Sequence, residues 1–178
     1  MAEKKIVYQD KFVAFEGLFD MKDFFRILVK WFNERGYDMF ENKNYEEVYE
    51  DGKKILVELI PYKKVTDYYK LEIRIFMICE NLKEVEVELH GVKKRLLKGR
   101  INFTFDAILV TDYENRWEGR PYYYFYRALI DKFIYKSYTD RYVEELIKEA
   151  KECQEEVKAY LNMFRYQALP GKESPQSR

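Results

Sequence analysis

The chain has 178 residues, and its 32 basic and 32 acidic side chains cancel to zero formal net charge. That balance argues against a nucleic-acid binder working by bulk charge. A hydrophobic content of 47% in a chain of one-domain length argues against disorder. Aromatic residues stand out at 18%, with 17 Tyr and 13 Phe, which implies a core of bulky rings or a large binding surface.

Glycines fall where the hydrophobic pattern changes and divide the chain into elements. Residues 5–16 read as a strand. Asp20 then has the character of a helix N-cap, and Gly36 of the residue past the helix end. Between them Met21, Phe24, Phe25, Leu28, Trp31 and Phe32 recur at helical spacing. Residues 37–50 form the next expected strand, and Asp51-Gly52 signals a two-residue hairpin turn. Ile55, Val57 and Leu59 alternate up to Pro61, which marks a strand end or an edge.

A strand is expected over 67–79, and alternation resumes after Glu80-Asn81 with Val85, Val87 and Leu89 set against Glu84, Glu86 and Glu88. These glutamates are expected near Lys70 and Arg74, where opposite charges help strands to pair. Residues 92–98 read as a short strand or connection, and 100–112 as the last strand. A helix is expected from Pro121 to about Ser137 and a second from Thr139 or Asp140, with Val143, Leu146, Ala150, Val157, Tyr160 and Leu161 on one face.

The fold expected is α+β. An antiparallel sheet of six to seven strands carries one short helix in the N-terminal half and a long C-terminal helical segment across it. One domain spans 1–167, and residues 168–178, with Pro170, Gly171 and Pro175, read as a disordered tail. This element order is similar to the helix-grip arrangement, in which a curved sheet wraps a long C-terminal helix over a cavity. That arrangement usually has two short helices after its first strand, where one is found here. No motif links the chain to a named family, so the likeness implies no activity.

Chemistry-bearing residues are sparse. Tyr122-Tyr123-Tyr124-Phe125-Tyr126 sweep a full turn of a helix, so one core does not cover all five rings. Tyr124, Tyr135 and Tyr138 share a stripe with Arg127 adjacent, and Trp117 and Arg120 precede the helix start. These six residues are the candidate site for an apolar or aromatic small molecule, or for a protein partner such as a second copy of the chain. The alternative is a helix sandwiched within one fold. Lys93, Lys94, Arg95, Lys98 and Arg100 form a basic run that could serve RNA; the zero net charge favours a solvated edge strand or loop instead.

His90, the only histidine, precedes Gly91 at an expected turn. Asp106 lies on the polar side of the last strand and becomes a buried acid only if that side is covered. Cys79 and Cys153 fall in apolar patterns and suit a reducing cytoplasm. No spacing suggests a metal, cofactor or reaction class, and charges interrupt every apolar run, so no membrane span is expected.

Overall fold

The computed structural model describes residues 3–50, 52–89, 92–114 and 136–167, with backbone alone at 88–89, 92, 136–138 and 164–167. Six strands form one antiparallel sheet: β1 (Glu3–Phe19), β2 (Glu41–Tyr49), β3 (Gly52–Leu59), β4 (Tyr62–Lys64), β5 (Tyr69–Leu89) and β6 (Val92–Thr111). The order across the sheet is β1-β6-β5-β3-β2, with β4 continuing the β3 side of β5. Helix α1 (Met21–Glu34) follows β1, and helix α2 (Lys136–Gln167) lies across β1, β6 and β5 and touches α1.

Local chemistry sets α1. Asp20 accepts from the amides of Lys22 and Asp23 at 3.0 and 3.2 Å, and Gly36 takes φ +75° just past the helix end, where glycine carries no Cβ penalty. Phe24, Leu28, Trp31 and Phe32 are the buried stripe. They meet Leu71, Ile73, Ile75, Met77 and Cys79 from β5 and Ile101, Phe103, Phe105, Ala107 and Leu109 from β6, with Leu146, Ala150, Cys153, Val157 and Leu161 of α2 above. Phe24 lies 5.3 Å from Phe103 and 5.5 Å from Tyr160, centroid to centroid, within range for favourable ring pairs. The Tyr160 hydroxyl donates to the carbonyl of Asp20 at 2.7 Å, tying α2 to the start of α1.

The expected break at Glu80-Asn81 is a β-bulge inside one continuous strand. Asn81 and Leu82 together face Gly99, and Asn81 takes φ +55°. Gly99 is required there: a Cβ would sit 2.8 Å from the carbonyl oxygen of Glu80. Gly52 flanks the bulge from β3, where a Cβ would sit 3.0 Å from the carbonyl oxygen of Leu82. One extra residue reverses which side chains face the helices. Glu84 and Glu86 therefore lie opposite Leu97 and Arg95, with Arg95 3.5 Å from Glu86. The expected neighbours pair elsewhere, Lys70 with Glu72 and Arg74 with Asp106. The basic segment is the first half of the unbroken β6, rather than a separate short strand.

The β2–β3 hairpin pairs Tyr49 with Gly52, so Gly52 belongs to β3 rather than to the expected turn. Pro61 ends β3, and its carbonyl accepts from the amide of Ile73 at 3.0 Å.

Candidate functional site

Of the aromatic site residues, Trp117, Arg120, Tyr124, Arg127 and Tyr135 lie outside the described residues, as do His90 and the run 122–126. Tyr138 falls in the first turn of α2, with its backbone alone described.

The basic run is placed. Lys93 and Arg95 oppose Glu88 and Glu86 in register, Lys94 opposes Val87, and Lys98 opposes Lys83. Arg100 bonds Glu16 of β1 at 3.1 Å. Glu86 and Glu16 of the neighbouring strands thus pair with two of the five cations, Arg95 and Arg100.

Asp106 is 1% exposed, on the sheet face away from α2. It accepts from the amide of Asp10 at 2.8 Å and from Nε of Arg74 at 2.9 Å. The carboxylate holds Asp10, which has φ +51°, where the β1–β6 register shifts between Tyr8 and Lys11. Its partners assign it to holding β1.

A second polar cluster joins β4 to α2. Lys63 donates to Glu145 and Glu149 at 3.1 Å each, and the Tyr37 hydroxyl donates to Glu149 at 2.5 Å. Burial and the bond to Glu149 hold the Tyr37 phenol far above its ordinary range. Burial alone would lower Lys63, but its bonds to Glu149 and Glu145 outweigh that and raise it. Both groups stay protonated at neutral pH, so neither is a general base there. Burial pushes the Cys79 thiol up to about 12 and Cys153 further in the same direction, which removes the reactive thiolate. Among the described residues no group of three or more His, Cys, Asp or Glu is placed to hold a metal ion, and no helix is long and apolar enough to cross a membrane.

An open groove of about 750 Å³ runs between α1 and α2. Arg35 stacks 3.9 Å over the Trp31 ring at its floor and reaches Glu152 at 3.4 Å. Charges of both signs, including Glu144, Lys148, Lys151 and Glu155, form its walls.

The least covered element is β2. All nine of its residues are exposed, including Tyr45 at 62%, Val48 at 71% and Tyr49 at 57%. Among the described residues β3 is its only strand neighbour. In a hairpin with two intervening residues the closing pair bonds inward, so Tyr49, Glu47, Tyr45 and Lys43 turn their backbone groups to β3. The amides and carbonyls of Asn44, Glu46 and Val48 then face outward. Tyr45 sits opposite Leu56 and Lys43 opposite Glu58 on the face away from α2. The Lys43 ammonium is 3.4 Å from Glu58, which also accepts from Asn42 at 2.7 Å.

Sequence reasoning finds this strand but not its position. Tyr45, Val48 and Tyr49 read as ordinary strand apolars, and only the strand order puts them at the margin. Comparison with protein-family models, curated proteins and solved structures finds no match to this chain.

Proposed function

We propose that this chain is a non-catalytic binding domain that takes an extended protein strand along β2. The carrying observation is a nine-residue margin, exposed throughout, with three large apolar or aromatic side chains and outward backbone groups. Unpaired N–H and C=O groups in a regular row are a template for strand addition. The polar clusters support the non-catalytic part, because Lys63, Glu149, Tyr37, Arg74 and Asp106 satisfy one another.

Selection of displayed peptides against the full-length protein tests this reading. Peptides that bind the wild type and lose at least about tenfold in affinity for Asn44→Pro are the expected result, since proline removes an outward donor. Failure to recover any peptide sensitive to that change, in a chain that also stays monomeric, sinks the reading. A site for an apolar small molecule at Trp117, Arg120, Tyr124, Arg127, Tyr135 and Tyr138 rests on sequence pattern. Native mass spectrometry of the purified protein tests it, and absence of any bound compound counts against it.

A further inference from the structure

We propose that the strand received by β2 is β2 of a second copy of this chain, antiparallel about a two-fold axis at Tyr45. This rests on the edge reading above and supplies its partner. The argument is the charge sequence of the strand, Glu41-Asn42-Lys43-Asn44-Tyr45-Glu46-Glu47-Val48-Tyr49.

A two-fold pairing sets each residue opposite the one equally far from the axis. An axis at Glu46 or Glu47 puts a glutamate against itself, and one at Lys43 puts a lysine against itself. An axis at Asn44 sets Glu41 opposite Glu47 of the second copy. Like charges directly opposite one another destabilise a strand pair. An axis at Tyr45 avoids all of these. It places Lys43 opposite Glu47 of the second copy, twice by symmetry, with the two Tyr45 rings at the centre.

This register also matches the backbone. Asn44 then faces Glu46 of the second copy, and both belong to the outward-bonding set. Tyr45 falls at a non-hydrogen-bonded position, where opposed side chains approach most closely. Lys43 keeps its contact with Glu58 and gains Glu47 of the second copy on its other side. The face away from α2 becomes continuous across the axis, so Tyr45 and the half-buried Leu56 of each copy join one surface. A single pair of nine-residue strands buries less than a standard interface of about 1,600 Å², so association in the micromolar range is expected.

Sedimentation velocity of the full chain, from about 1 to about 500 μM, reads the outcome directly. The wild type is expected to dimerise. Lys43→Glu and Glu47→Lys, each alone, weaken association at least about tenfold by setting like charges together. Mixed with each other, the two variants regain it. One strand then carries acid at both positions and the other carries base at both, so opposite charges meet in both pairs. Thermal melts show that each variant is folded before mixing. In parallel, Tyr45→Cys is expected to give a disulfide-linked dimer on mild oxidation, since the native cysteines are buried. A monomer at every concentration overturns the self-pairing proposal, and so does association indifferent to both charge changes. The edge reading survives either result if selected peptides still bind wild type and not Asn44→Pro.

Discussion

The two margins of the sheet are built differently. β1 is long, but its pairing with β6 shifts register between Ile6 and Tyr8 and again between Tyr8 and Lys11, and Asp10 takes a left-handed conformation. Asp106 fixes that irregularity through the Asp10 amide, while Tyr8 reaches Gln154 of α2 at 3.0 Å. Bulged strands make poorer templates for another chain at the bulge, although ten of the seventeen β1 residues are exposed, Phe12 at 61% among them. β2 has one register shift, near its start, and runs evenly from Lys43 to Tyr49 with every side chain exposed. One margin is interrupted at its middle and tied to α2 there, and the other runs evenly with every residue exposed. Both strands carry lysines and aromatic rings and expose most of their residues, so the difference lies in the interruption of β1 between Ile6 and Lys11.

Raising the pH attacks the core beneath both margins and has the largest expected effect. Cys79 ionises from 9.0 when unfolded but only near 12 when folded. Its contribution is complete below pH 9 and is lost as the pH climbs through that window, because the unfolded state gives up the proton first. Tyr37, raised above 10.0, adds a loss of the same sign. Urea melts between pH 8 and pH 11 are therefore expected to shift steadily to lower denaturant; a flat profile contradicts the burial assigned to Cys79 and Tyr37.

Asp106→Ala strikes the interrupted margin. It strips the partner from Arg74 and the acceptor from the Asp10 amide, and a loss of about 3 kcal/mol is expected in denaturant melts. Gly99→Ala, which drives a methyl group against the Glu80 carbonyl, is expected to cost about 2 kcal/mol. Tyr8→Phe removes one hydrogen bond between β1 and α2, for about 1 kcal/mol, and speeds amide exchange in β1 before β2. At the open margin Val48→Ser is expected to change monomer stability by less than about 0.5 kcal/mol, because that side chain is 71% exposed. A large loss from Val48→Ser would mean that the margin is already occupied.

Features governed by neighbouring residues were legible in the sequence. Asp20 and Gly36 bound α1 as expected, because a cap needs only its own turn of helix. The alternation over Leu71–Cys79 and Ile101–Leu109 marked the core face, since period two is fixed by backbone geometry. The bulge was not legible. Asn81 suits a turn as well as a bulge, and what selects the bulge is Gly99, which arrives only with the partner strand. Glu84 and Glu86 were misplaced for that reason. Asp106 was assigned to the correct face, but its acceptance of the Asp10 amide depends on a contact across 96 positions. β2 was expected as a strand; its exposure follows from strand order, which no local pattern encodes. The five-ring run keeps its sequence reading, because it lies outside the described residues.

The long β5–β6 hairpin has a kinetic consequence. Its ladder runs from Leu89 opposite Val92 out to Tyr69 opposite Thr111, so each new pair closes a loop only slightly larger than the last. Such a ladder zips from its turn with little entropy lost per step. β1 has no such route, since Thr111 reaches Glu3 only across 108 positions. The expected sequence is hairpin first and β1 late, with high φ-values in β5 and β6 near the turn and low ones in β1. Until β1 docks, the bare strand is β6, so the nascent chain is vulnerable on the opposite side of the sheet from the side the finished protein leaves open.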